Sequence, residues 1–531
     1  MKAIYLLFVL SIMMFGAYSQ QSKTDSIPWH HFAPEESHWQ GISLNEAYAF
    51  LKQNNRVAKP VIVAVIDSGF DTTHEDVSGN LWHNPKEIPY NNIDDDGNGY
   101  IDDYYGWNFI GGADGRNVDG ETLESVRFYR ENKNKYEGKK QSEIAKEQRS
   151  EYKLWLESQK EVLGKIELYQ DRINNYTQWY NAIDEAEKVV MKSLDKDTLI
   201  QSDIKAFAPS NKAEFNARRI LIFADSVGIS RAELIPQLDY YNKQLEKKYN
   251  IAYNPRPDIV GDNPDDINDS IYGNSDIKAE GYSHGTGVSG IIAANRHNNI
   301  GTQGIADSVQ LMILRVVPGG DERDKDVALA IKYAVNNGAR IINCSFGKNY
   351  SKHPEFVLEA IDYAIAHDVL IVHAAGNNSE NNDLIKHYPT PNENQRTHWI
   401  DVGASGQFIG NELAAGFTNY GKKTVDLFAP GVNIYSTSPG NQYRSTSGTS
   451  DAAPVVTGVA ALILSYYPEI TAPVLREILI ESAVQHRKLK VELPGSDKKT
   501  KFKKLSTSGA IVNAYEAVMM SEKIQQEIIT N

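Results

Sequence analysis

The chain is expected to form an α/β fold around a mainly parallel sheet, and three features of the sequence lead there. Four short apolar runs, at 61–66, 310–317, 340–344 and 369–374, are rich in Val and Ile and lack polar alternation, as strands covered on both faces do. Helical patterns lie between them, including 326–336 and 355–366. Each run also gives way to small or polar residues, among them Asp67-Ser68-Gly69, Ser345-Phe346-Gly347 and Gly376-Asn377. In open parallel sheets ligands gather beyond the carboxyl ends of the strands, so these residues carry the functional reading.

Composition narrows the classes. The 531 residues include 55 Lys and Arg against 69 Asp and Glu, a formal charge of −14, so nucleic acid is an unfavourable partner. With 41% hydrophobic and 23% charged residues the chain is globular in character, and disordered, collagen-like and multi-span membrane classes are excluded. The length suits two to four domains. A single cysteine, Cys344, leaves no intramolecular disulfide.

Residues 1–19 read as a signal peptide: Lys2, an apolar run over 3–15, then small residues Ala17 and Ser19 at the positions a signal peptidase reads. Export to a periplasm or the medium follows, with no membrane span after removal, since no later segment reaches spanning length. Core material is expected over 20–120 and again over 258–531. Residues 121–257 differ. Within 121–200, 31 of 80 positions are charged and none is Pro, which marks helical material. Val162, Ile166, Tyr169, Ile173, Tyr176, Tyr180 and Ile183 alternate spacings of four and three, the seam of a coiled coil or helical hairpin. This insertion is either a solvated excursion or an arm that binds a protein partner or limits access. Residues 487–504 are expected as a basic loop and 510–526 as a closing helix.

Three segments offer chemistry. Asp67 ends a buried strand at a glycine turn, where it either caps the turn or holds a histidine. His284 opens the small-residue stretch His284-Gly285-Thr286-Gly287-Val288-Ser289-Gly290, as a core histidine or a base. Ser450, in Gly448-Thr449-Ser450-Asp451-Ala452-Ala453-Pro454, precedes a long apolar helix. It is either a plain cap or a hydroxyl set where unpaired N–H groups favour negative charge.

Taken together, in the order Asp, His, Ser, these segments resemble the subtilisin-like serine peptidases, or subtilases. The likeness covers about 29–103 and 258–468 and leaves the helical stretch as an insertion. The resemblance implies a three-layer fold and an endopeptidase in which Ser450 attacks a peptide carbonyl, His284 carries the proton and Asp67 orients His284. It implies that Asn377, in Ala374-Ala375-Gly376-Asn377, donates to the oxyanion. It further implies that Ser345, Phe346 and Gly347 face Ala374, Ala375 and Gly376 across the primary substrate pocket. Such small walls suggest room for a sizeable apolar side chain. The charges of 318–326 would then be solvated loop residues where the family lines a second pocket. Asp451 departs from the family, which commonly has Met there; an added carboxylate would raise the pKa of His284 or discourage acidic substrates. With 20–25 alone ahead of the core, no folding pro-domain is expected. A dedicated processing protease and a catalytically silent scaffold using the insertion are the alternatives.

Residues 91–103 add a metal reading. Asp94, Asp96 and Asn98 stand at alternate positions with Gly99 at the sixth, as in an EF-hand loop. Tyr105 occupies the twelfth, so Asp102 or Asp103 would close the shell, and calcium is the expected structural cofactor, as in related subtilases. Asp76 with Asn298 or Asn299 is a weaker match to another calcium site of the family.

Overall fold

The computed structural model describes residues 28–34 and 38–530; the expected signal peptide lies outside them. The chain divides into two compact units, one formed by 125–253 and the other by 28–124 with 254–530.

The larger unit is built on a nine-stranded sheet. In chain order its strands are β1 (Val61–Asp67), β2 (Gly106–Asn108), β3 (Val309–Arg315), β4 (Ile341–Cys344), β5 (Leu370–Ala374), β6 (Trp399–Ser405) and β7 (Leu427–Pro430). Then come the hairpin strands β8 (Ile434–Ser438) and β9 (Gln442–Thr446), β10 (Val484–Gln485), the paired β11 (Lys490–Glu492) and β12 (Lys499–Lys501), and β13 (Ala510–Ile511). The sheet order is β10-β13-β7-β6-β5-β4-β1-β3-β2, parallel throughout except for β10 against β13.

Period-two alternation explains the three layers. On β1, Val63 and Val65 join one apolar core while Ala64 and Ile66 join another; on β3, Leu311 and Ile313 separate from Met312 and Leu314 in the same way. The first core is closed by helices Leu44–Gln53, Ser283–Ala293, Thr449–Tyr466 and Ala514–Thr530, the second by Asp324–Asn336 and Pro354–Ala366. Each fully buried Val, Leu or Ile stabilises by roughly 1.5–3 kcal/mol relative to exposure, so strands buried on both faces hold the sheet firmly.

Three expectations change. Residues 487–504 are not a plain loop, because β11 and β12 pair there as an antiparallel hairpin. The closing helix starts at Ala514, since Ala510 and Ile511 pair with β10 and β7 instead. One later segment does reach spanning length: Thr449–Tyr466 is long and apolar enough to cross a bilayer, but 89% of it is buried inside the larger unit.

In the smaller unit a helix of 46 residues, Arg149–Leu194, runs for about 70 Å. Shorter helices Lys212–Ser226 and Arg231–Lys243 pack along it, with Ile183, Ala186, Val190, Leu221 and Leu234 as the shared core. Of the seam, Val162 and Ile183 are buried and the other five are half-buried. Tyr169 meets Tyr241 and Tyr249 at ring separations of 5.3 and 5.4 Å.

Candidate active site

The carboxyl ends of β1, β4 and β5 and the tips of two helices converge in the larger unit. Asp67 is the last residue of β1, held in register with Arg315 of β3, and its carbonyl accepts N–H bonds from Val316 and Val317. Its carboxylate is 1% exposed. Oδ1 accepts the Ser68 N–H at 2.6 Å and His284 Nδ1 at 2.8 Å. Because a carboxylate accepts, Nδ1 carries the proton, and in the neutral ring Nε2 keeps the lone pair.

His284 stands in the first turn of the helix Ser283–Ala293. That helix is seated by the Gly285 N–H on Ser68 Oγ and by Ser436 and Thr437 of β8, whose hydroxyls donate to the Gly287 and Thr286 carbonyls at 2.7 Å. Its imidazole is 47% exposed. Desolvation is the largest single influence on it and pulls the pKa down, but the charge and hydrogen bond of Asp67, aided by Asp451, outweigh this and raise the pKa to about 9.

Ser450 occupies the first turn of Thr449–Tyr466, with Gly448 as the preceding cap residue. Its carbonyl accepts the Ser345 hydroxyl at 3.0 Å. Among the described residues there is no hydrogen bond between the Ser450 hydroxyl and the His284 ring. Contacts of this kind are commonly long until substrate closes the site. Asp451 is buried. Its Oδ1 accepts the Thr446 hydroxyl at 2.7 Å, and burial raises its carboxyl pKa to about 6 against the pull of Thr446, His284 and Arg444.

Asn377 is exposed at the end of the β5 segment. Its Oδ1 accepts both the N–H and the hydroxyl of Thr449, at 2.8 and 3.0 Å, so its Nδ2 donors are left unengaged by the described residues. Ser345 is tied through Asn343 to Thr457 of the long helix, and Gly376 donates to Thr449 Oγ1 at 3.1 Å. The two wall segments, Ser345 to Gly347 and Ala374 to Gly376, are therefore both anchored to residues 449–450. Cys344, behind one wall, is buried with its thiol pKa pushed up by burial.

Four of the six charges of 318–326 are not solvated. Glu322, Asp324, Lys325 and Asp326 are all buried. Asp326 takes both Arg256 amino groups at 2.7 Å, Lys325 pairs with Asp262 at 2.8 Å, and Asp324 lies 3.0 Å from Lys348. These pairs offset the desolvation that bare charges would suffer.

At the acidic loop, Asp94 and Asp96 come together with Glu87, their carboxylate oxygens within 4.8 Å of one another. Glu87 is 6% exposed, and its Oε2 is buried without a partner while Oε1 accepts the Asp95 and Asp96 N–H groups. A hard cation needs such a set of oxygens around an orphaned carboxylate, so the group fits calcium. Asp94 and Asp96 also accept N–H groups, from Asn98, Gly99 and Asn84, and the other expected ligands accept hydrogen bonds outside the cluster. Asn98 Oδ1 accepts the Tyr100 N–H; Asp102 takes the N–H groups of Asn91 and Asn92; Asp103 takes Asn84, Asn98 and Tyr333. Asp76 accepts from Asn298 Nδ2 and the Thr302 N–H. Glu87 lies outside the repeating loop pattern, and nothing in the spacing marks it.

The chain is similar to several known proteases. Subtilisin DY of Bacillus licheniformis is 34% identical over 216 residues, 40% of this chain and 75% of that protein. The thermophilic serine proteinase of Bacillus sp. (strain AK1) is 40% identical over 184 residues, 34% of this chain and 43% of its own length. Subtilisin BL of Lederbergia lenta is 38% identical over 207 residues, 38% of this chain and 71% of that protein. A solved structure of proteases from Pseudoalteromonas arctica covers 94% of this chain and 97% of its own at 18% identity, with a TM-score of 0.48. The model of the subtilase family matches residues 58–510, so the chain belongs to the subtilase family of serine-type endopeptidases.

Proposed function

We propose that this peptidase works through Asp67, His284 and Ser450 as a triad. The observation that carries the reading is the 2.8 Å bond between His284 Nδ1 and Asp67 Oδ1, made by residues 217 apart in sequence, with Asp451, the neighbour of Ser450, near enough to raise the His284 pKa. A neutral serine is a weak nucleophile and needs a base. Once Nδ1–H is committed to Asp67, Nε2 is the atom that takes the Ser450 proton as Oγ bonds to the peptide carbonyl carbon. Asp67 then steadies the imidazolium, which returns the proton to the departing amine and leaves an acyl-enzyme. Water repeats the sequence in reverse and frees Ser450. The carbonyl oxygen gains charge at each addition. Asn377 Nδ2, held in place by Thr449, and the Ser450 N–H at the helix start are the donors that would stabilise it. One such donor is worth roughly 10²–10³ in turnover, the loss established for a comparable amide in subtilisin.

Protein or peptide substrates fit this chemistry, their backbone laid along Ser345 to Gly347 and their side chain between that segment and Ala374 to Gly376. Residues 1–19 support export. Calcium held by Glu87, Asp94 and Asp96 would supply structural rigidity rather than chemistry. The unit formed by 125–253 is read as an arm that limits access or docks a protein partner. A fluorophosphonate probe tests the core of the reading: the intact chain is expected to label covalently and the Ser450→Ala variant not to. Equal labelling of both would overturn it.

A further inference from the structure

One side chain touches both of the expected wall segments. His387 comes from outside every motif and sits against a glycine in each. A methyl group at Gly347 would lie 2.3 Å from His387 Nε2, and one at Gly376 would lie 3.0 Å from Nε2 and from Cε1. One edge of the imidazole therefore abuts both walls at once. Its placement is firm. Lys348 and Tyr388, the residues next to Gly347 and to His387, exchange backbone hydrogen bonds of 3.0 and 2.7 Å. The His387 carbonyl accepts the Thr390 hydroxyl at 2.7 Å. Behind the ring stands His373 at 5.7 Å, itself tied to Asp401 at 2.7 Å.

We infer that His387 limits the depth of the primary pocket, so that the peptidase cleaves after small side chains such as Ala or Ser and rejects large apolar ones. The inference rests on the triad reading above, since the residue that enters this cleft is the one whose carbonyl faces Ser450. It departs from what the wall composition alone suggests, because Ser345 to Gly347 and Ala374 to Gly376 leave room only if nothing else fills the gap. A charge-based role is disfavoured by the ring's surroundings. Burial, with His373 adding and Asp401 opposing, lowers its pKa to about 3, so the imidazole is neutral at working pH and acts by its bulk. Excess volume in such a pocket discriminates by about tenfold or more per group that cannot fit.

The test uses the full chain and peptide p-nitroanilides that differ only in the residue before the cleaved bond: Ala, Ser, Leu and Phe. The wild type is expected to favour Ala over Phe in kcat/KM by at least about tenfold. His387→Gly is expected to raise the ratio of the Phe value to the Ala value by about tenfold or more. His387→Gln, which keeps the bulk, is expected to keep the wild-type order. A wild type that prefers Phe or Leu overturns the inference without any variant. So does a His387→Gly protein that labels with fluorophosphonate at the wild-type rate yet shows the wild-type order. In both cases the labelling keeps the triad reading intact. Absence of labelling at Ser450 in the wild type would overturn that reading and this inference with it.

Discussion

Asp451 gives this site a property of its own. A buried carboxylate next to the nucleophile favours the imidazolium form of His284, and Arg444 on β9 opposes it only weakly. The sign of the pH effect follows. His284 accepts the Ser450 proton only when neutral, so with a pKa of about 9 the rate climbs as pH rises through that value. Asp451→Asn keeps the acceptor for Thr446 and removes the charge, which lowers the His284 pKa. The acid limb of the kcat/KM profile is expected to move to lower pH, and an unmoved limb would refute the coupling. The pairing of Asp67 with His284 was legible because each lies in a short motif whose turn and helix chemistry is local. His387 and Glu87 were not: each reaches its site from a separate loop, and a lone His before Tyr-Pro or a lone Glu has no periodicity to mark it. The burial of four of the charges of 322–326 has a similar origin. Their partners Arg256 and Asp262 lie some 60 or 70 residues upstream, and polar character without a visible partner reads as exposure.

The acidic loop is the element that a bound cation would affect most. Glu87, Asp94 and Asp96 repel one another when bare, and the buried Glu87 carboxyl is raised above its ordinary pKa by desolvation, with Asp103 and Asp96 adding to the rise. A cation at 100 times its dissociation constant stabilises by about 2.7 kcal/mol. Chelation is therefore expected to lower Tm by ~3 °C in calorimetry, with calcium restoring it and Glu87→Gln blunting the response. No change on chelation would remove the cation from this loop. The strands and helices of the sheet were readable because runs such as 61–66 repeat the same two-faced burial. The short strands β11, β12 and β13 were not readable. Two or three residues carry too little pattern, and they become strands only when β7, β10 or each other supply hydrogen-bond partners.

All of the candidate catalytic residues, and the two cores that hold them, belong to the unit formed by 28–124 and 254–530. Removing 125–253 with a short linker is therefore expected to leave kcat/KM on short peptides within about threefold, because loop length costs little in closure entropy. If the helical unit restricts access, the same deletion raises casein cleavage relative to peptide cleavage, and an unchanged ratio would leave it no such role. The heptad seam of that unit and the parallel sheet of the other were both visible in the chain, since backbone periodicity and turn geometry act over a few residues. The depth of the cleft, the ligands around the acidic loop and the pairing of the buried charges arise where segments tens to hundreds of residues apart are packed together. Such contacts are set by folding as a whole, and short-range pattern holds no record of them.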